Sequence, residues 1–220
     1  MDFPFKEAKE KVDELIADYQ SVVDPSDDCP VDTAKGRMYE LVVLSYLVEH
    51  LTTRGFRFQF HGKVLELKEK PGLIKNTDPY FEGTHLVSGA KIRIYTDIQV
   101  WGLGCLNSGN RDLSAHHEVD LVVVEDGVTG RPTPHELLLG VECKSGAFGK
   151  SVIKEVLGVK RELSFLQSKV RSKLSRLARD VERVPSSPAI EFWLAHYDPK
   201  GDQYKIGPEF FGIQLRHLEP

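Results

Sequence analysis

Two short stretches of the chain place charged side chains where the surrounding residues are apolar. Asp120 stands in His-Glu-Val-Asp-Leu-Val-Val-Val, near the start of the most hydrophobic strand candidate in the sequence. Glu142 and Lys144 end a second apolar run, Leu-Leu-Leu-Gly-Val-Glu-Cys-Lys. Side chains alternate along a strand, so Glu142 and Lys144 share one face while Val141 and Cys143 take the other. Asp126-Gly127, Gly130 and Pro132 lie between the two runs and mark a hairpin turn. Pairing that is symmetric about Arg131 sets Asp120 across from Glu142. Two carboxylates so close repel unless something neutralises them. Oxygen ligands of this kind suit Mg²⁺ or Mn²⁺, and Lys144 then stands beside whatever water or phosphate such an ion holds. The chemistry to expect is activation of water and charge stabilisation in an in-line phosphoryl displacement. The plainer alternative is a solvated strand-end Asp and a Glu-x-Lys pair on an exposed face.

A third acid has a similar setting. Glu40 belongs to a segment, Met38 to Leu51, whose apolar residues cover nearly every helical face, the pattern of a buried helix. A carboxylate on such a helix costs several kcal/mol unless it is paired or binds a cation. Proximity to the helix start, or pairing with Lys35 or Arg37, is the ordinary explanation. Beside an acidic strand pair, Glu40 reads instead as a third carboxylate reaching the same site. Cys143, on the opposite strand face from the acids, reads as a core thiol.

The elements that must position these residues follow from periodicity. Residues 3–20 predict an amphipathic helix, residues 23–30 a loop, and 33–53 a second helix capped by Asp32 or Thr33 and ended by Gly55. Phe56–Phe60 alternates and is expected to pair with Val64–Leu67 through a turn at His61-Gly62. Residues 68–90 read as an irregular excursion, and Lys91–Val100 as a strand. Apolar runs at Val119–Val124 and Leu137–Val141 form the hairpin. A long helix is expected from about Lys150 to Arg183, then strands at Ile190–Ala195 and Phe211–Leu215. The order predicts one α/β domain over 1–220, with a mixed central sheet flanked by helices.

Glu40 on a helix, Asp120 on a strand and Glu142-Cys143-Lys144 on the next strand, followed by helix and strand, resemble the PD-(D/E)XK nuclease superfamily. The resemblance covers roughly Thr33 to Tyr197 and implies a restriction-endonuclease-like αβββαβ core. It leaves 1–30 as an N-terminal helical extension and 56–90 as an insertion. It further implies that Asp120, Glu142 and the backbone carbonyl of Cys143 bind Mg²⁺ or Mn²⁺. By the same resemblance Lys144 orients or activates the attacking water, and Glu40 is the acid from the first core helix. Val119 stands where the motif has its proline, a position that varies widely. The implied activity is hydrolysis of phosphodiester bonds, in DNA rather than RNA, in the setting of microbial restriction, defence or repair. The alternative is a non-catalytic domain of the same fold that binds nucleic acid or a partner protein.

Charge distribution bears on the partner. The 220 residues carry 29 Lys and Arg against 33 Asp and Glu, a net charge of −4. Residues 150–183 alone hold ten basic and four acidic residues, so this segment is +6 and the remainder −10. Lys150, Lys154 and Lys160 are the expected contacts to a phosphate backbone, because they follow closely on Lys144. No apolar run approaches a membrane span, and the charged first ten residues lack an apolar signal core. Three scattered cysteines, Cys29, Cys105 and Cys143, fit a reducing cytoplasm. A homodimer or a partner protein is compatible with this pattern.

Overall fold

The computed structural model describes residues 4–19, 35–63, 65, 67, 70–109 and 114–220. The loop expected at 23–30 and the helix cap expected at Asp32 or Thr33 lie outside the described residues. Helix α1 (Phe5–Tyr19) buries Ala8, Val12 and Leu15, one stripe of an amphipathic surface. Helix α2 (Lys35–Thr53) buries Leu41, Val42, Val43, Leu44, Leu47, Val48 and Leu51, as its all-round apolar pattern predicts. It is held between α1 and the sheet, and it ends before Gly55, whose φ of +89° turns the chain into the first strand.

Five strands then run as an antiparallel meander: β1 (Phe56–His61), β2 (Tyr80–His85), β3 (Lys91–Trp101), β4 (His116–Glu125) and β5 (Leu137–Lys144). A short helix α3 (Leu103–Ser108) joins β3 to the segment before β4. After β5 come helix α4 (Lys150–Leu163) and an excursion in which β6 (Phe165–Arg171) and β7 (Arg183–Ser187) bracket helix α5 (Lys173–Ala178). The chain returns as β8 (Glu191–His196), parallel to β5. A 3₁₀ turn (Pro199–Tyr204) and helix α6 (Ile206–Phe210) lead to β9 (Ile213–His217), parallel to β8. The main sheet is therefore mixed, in the order β1-β2-β3-β4-β5-β8-β9. One apolar cluster joins α1 and α2 to one face; a second joins α4 to the other, which makes an α/β layer arrangement with helices on both sides. No helix among the described residues is long and apolar enough to cross a membrane.

Two expectations need correction. The partner found for Phe56–Phe60 is not the one expected: β1 pairs with β2, in the register Phe56↔His85 to His61↔Tyr80, and of the segment 64–67 only residues 65 and 67 are among the described residues, neither of them in a strand. The partner strand lay hidden in Tyr-Phe-Glu-Gly-Thr-His, where Phe81, Gly83 and His85 are the inward positions. Gly83 is required there, because a Cβ would stand 2.6 Å from the Phe58 ring and 2.9 Å from Ile92. Gly83→Ala is expected to overpack this corner and lower stability by about 1–3 kcal/mol in chemical denaturation. The segment 68–90 is thus only partly irregular, and its strand widens the sheet.

The helix expected to continue to Arg183 stops at Leu163. Ser164 is extended, β6 follows, and Ser172 caps α5 by accepting from the Ser175 N–H. The leucines at 174 and 177, which continued the helical spacing, belong to this separate short helix. Arg179 ends α5 in the left-handed conformation. Behind it, Glu191 is 1% exposed and is matched by Arg54, which lies 2.6 Å from both Glu191 and Asp180; Ser172 also donates to Glu191. This buried cluster ties the excursion to the sheet.

Candidate functional site

The hairpin register decides whether the two predicted carboxylates meet. Leu121 pairs with Val141, Val122 with Gly140 and Val123 with Leu139. One further step of that register brings Asp120 beside Glu142. The strands hold the junction with a hydrogen bond: the Cys143 N–H donates to Asp120 Oδ2 at 2.6 Å. This orients the Asp120 carboxylate toward the backbone of the Glu-Cys-Lys strand. Lys144 Nζ lies 3.3 Å from Glu142 Oε1 and 3.9 Å from Glu155 Oε2 on α4. Sequence reasoning had not singled out Glu155.

It also missed Asp97. In β3, Thr96 pairs with Leu121 and Ile98 with Val119, so Asp97 falls opposite Asp120. Asp97 has φ +53°, a left-handed conformation that Asp tolerates better than most residues. The kink changes the face of the strand. Ile92 and Ile94 pack into the α1–α2 core, whereas Ile98 and Val100 pack on the α4 side. The Asp97 carbonyl accepts from the Gly72 N–H at 2.9 Å, and the residue is 9% exposed. Its only signal in the sequence was an acid in the middle of an alternating strand.

Glu40 joins the same electrostatic unit. Burial first, then Asp120, Asp97 and Glu142, push its carboxyl up to about 8, against a smaller opposing effect of Arg37. Asp120 and Glu142 are each held above the ordinary carboxylate range. Burial is the main cause for both; Asp97 and Glu155 add to it at Asp120, and Asp120 and Glu155 at Glu142. Burial works against the Lys144 ammonium, yet Glu142 and Glu155 hold its pKa above the usual value, so it stays cationic. Cys143 packs against the core on the α1–α2 side. Burial and the neighbouring carboxylates raise its thiol, which leaves no thiolate nucleophile. The four acids Glu40, Asp97, Asp120 and Glu142 thus lie within electrostatic reach of one another at the junction of α2, β3, β4 and β5. Among the described residues, no group of three His, Cys, Asp or Glu side chains is placed to hold a metal ion.

The basic segment divides. Lys150 and Lys154 are exposed on the first turns of α4, near the Lys144 end of β5. Lys160 is not available to phosphate: it is 4% exposed, donates to the Ile190 carbonyl at 2.6 Å, and burial lowers its pKa to about 7. Its place in the apolar stripe of Ile153, Val156 and Leu163 was the overlooked signal. Lys173 pairs with Glu125 at 3.2 Å, at the end of β4 away from Asp120. The basic residues of 169–183 therefore sit with the β6–α5–β7 excursion and not beside the acids.

Comparison with protein-family models, curated proteins and solved structures finds no match to this chain.

Proposed function

We propose that the chain is a metal-dependent nuclease of PD-(D/E)XK type that hydrolyses phosphodiester bonds in DNA, with α2, β3, β4, β5, α4 and β8 as a restriction-endonuclease-like core. The observation that carries this reading is the meeting of Asp120 with Glu142-Cys143-Lys144 across the β4–β5 ladder, fastened by the Cys143 N–H on Asp120 Oδ2. The acids there are desolvated and mutually repelling, with Lys144 and Arg37 as the opposing charges. That surplus of buried oxygen charge suits a hard divalent cation.

Asp120, Glu142 and the Cys143 carbonyl would hold Mg²⁺ or Mn²⁺, with Glu40 supporting. Such an ion supplies charge neutralisation at a phosphate and acidity to a water. The protein's own groups do the rest. The Cys143 N–H fixes the angle of the Asp120 carboxylate. Lys144, held cationic by Glu142 and Glu155, offers an ammonium that orients a water or stabilises charge on a phosphoryl oxygen. Partial burial strengthens each of these electrostatic effects relative to water.

Digestion of plasmid and of labelled DNA and RNA oligonucleotides with Mg²⁺, Mn²⁺ or EDTA tests the reading. Cleavage of DNA is expected with metal and absent in EDTA. Tight nucleic-acid binding with no cleavage under any metal would favour the non-catalytic alternative. The exposed pair Lys150 and Lys154 provides a separate measurement. Each phosphate contact contributes about 0.9 to the slope of log affinity against log salt. Lys150→Glu with Lys154→Glu should flatten that slope by about 2 and weaken DNA binding at least tenfold. An unchanged slope would remove the start of α4 from the binding surface.

A further inference from the structure

We propose that Arg171, Arg179 and Arg183 form a binding pocket for a phosphate group, on the β6–α5–β7 excursion and separate from the acidic junction. This inference stands independently of the nuclease reading. The three arginines line one cavity of about 220 Å³, together with Asp180 and Val181. Register brings two of them side by side. Arg171 on β6 pairs directly with Arg183 on β7, while the neighbouring pair Val170 and Val184 takes the other face. Like charges directly opposite each other on a strand pair repel. Arg179 arrives from the end of α5, in the left-handed conformation at φ +59°.

The positive charge of the pocket is only partly answered. Asp180 is the one carboxylate in the lining, and both of its oxygens are committed elsewhere. Arg54 Nε donates to Oδ2 at 2.6 Å, and the Glu182 N–H donates to Oδ1 at 3.2 Å. Among the described residues, no carboxylate forms an ion pair with Arg171, Arg179 or Arg183. The two guanidiniums of the hairpin are already oriented by the backbone. Arg171 donates to the Ser175 carbonyl at 3.3 Å, and Arg183 donates to the Lys169 carbonyl at 2.9 Å. A guanidinium carries five N–H donors, so most of them remain for a ligand.

Three guanidinium forks around one cavity suit a tetrahedral anion. A carboxylate presents two oxygens in one plane and matches a single fork, whereas a phosphate presents several oxygens in different directions and can face all three. The pocket also lies apart from the acids. Asp180 is tied through Arg54 to Glu191 at the start of β8, and Glu191 pairs with Leu139. Glu142 stands further along β5, about 10 Å from Leu139 at the rise of a strand, so a phosphate held by the arginines is not the one beside Lys144. Two sources share this chemistry, a phosphate of a nucleic-acid strand and a free phosphorylated small molecule.

The test uses the full chain in chloride buffer with EDTA, so that no metal takes part. Inorganic phosphate, acetate, a nucleoside monophosphate and a short DNA duplex are titrated by calorimetry. The variants are Arg171→Gln with Arg183→Gln, Arg171→Lys with Arg183→Lys, and Lys150→Glu with Lys154→Glu. Both arginines are exposed, and circular dichroism checks that each variant is folded. Wild type and the Lys150/Lys154 variant should bind phosphate about tenfold more tightly than acetate. The glutamine pair should lose that preference, and the lysine pair should recover little of it, because lysine keeps the charge without the fork. A nucleic-acid source predicts that DNA affinity also falls about tenfold in the glutamine pair. A small-molecule source predicts unchanged DNA affinity there, with the nucleoside monophosphate bound more tightly than phosphate by wild type. Three results would each overturn the pocket: no preference of wild type for phosphate over acetate, phosphate affinity unchanged in the glutamine pair, or full affinity in the lysine pair, which would leave only diffuse positive charge.

Discussion

Asp120→Asn is expected to lower metal-dependent cleavage by about 10³-fold or more while leaving the protein at least as stable as wild type at pH 8. An asparagine oxygen can still accept the Cys143 N–H, so the junction between β4 and β5 survives. What disappears is a desolvated charge facing Asp97 and Glu155, which is the cause of the raised Asp120 carboxyl. Removing a charge that the fold disfavours stabilises the fold, by about 1–2 kcal/mol at a pH where the group would be ionised. Glu142→Gln should behave in the same way, and the double variant should be little worse than either single one, because the two acids act as a unit. Loss of activity with preserved stability separates a functional charge from a structural one. A variant that cleaves as fast as wild type would remove Asp120 from the chemistry. One that loses cleavage together with several degrees of Tm would make it a structural residue.

The encounter of Asp120 with Glu142 was legible in the sequence because one connection, residues 126–136, joins two neighbouring apolar runs, but symmetry alone does not explain it. Near the turn Val124 pairs with Leu137, and a bulge between Val123 and Val124 shifts the register by one residue before Leu121 meets Val141. Without the bulge Asp120 would face Val141, and the alternation would send the acids to opposite sides. Asp97 could not be read in this way. Its approach depends on a left-handed residue and on pairing between strands that are not joined by a tight turn, neither of which hydrophobic periodicity encodes. Lys160 was legible and misread, because its charge drew more weight than its position on the buried stripe of α4. The helix expected through Arg183 failed for a related reason. Leucines kept the 3.6-residue spacing across a strand that exposes nearly all its side chains, while Ser164 and Ser172 carried the true boundaries.

In EDTA, the stability of the fold should fall as pH rises from 5 to 8, and Mg²⁺ should remove much of that fall. Glu40 sets the sign. Its folded carboxyl titrates near 8 against an ordinary 4.5, so between those values the native state holds a proton that the unfolded chain has released. Stability then decreases with pH across this window, and the favourable contribution is fully present only below about 4.5. Asp120 and Glu142 are raised as well and act in the same direction. For Glu40 alone the change from pH 5 to 8 is on the order of 3 kcal/mol. Lys160 opposes it only at higher pH. Its folded pKa of about 7 lies below the ordinary 10.5, so its contribution to stability rises from about 7 upward. Comparison of wild type with Glu40→Gln at each pH cancels Lys160 and isolates Glu40 with its coupling to the other acids. Urea denaturation at pH 5, 6.5 and 8 should show a steeper pH dependence for wild type in EDTA, and a flatter one for Glu40→Gln and for wild type in Mg²⁺. The same slope in Glu40→Gln as in wild type would mean that Glu40 ionises without resistance and stands apart from Asp97, Asp120 and Glu142. A slope untouched by Mg²⁺ would mean that these carboxylates do not share an ion.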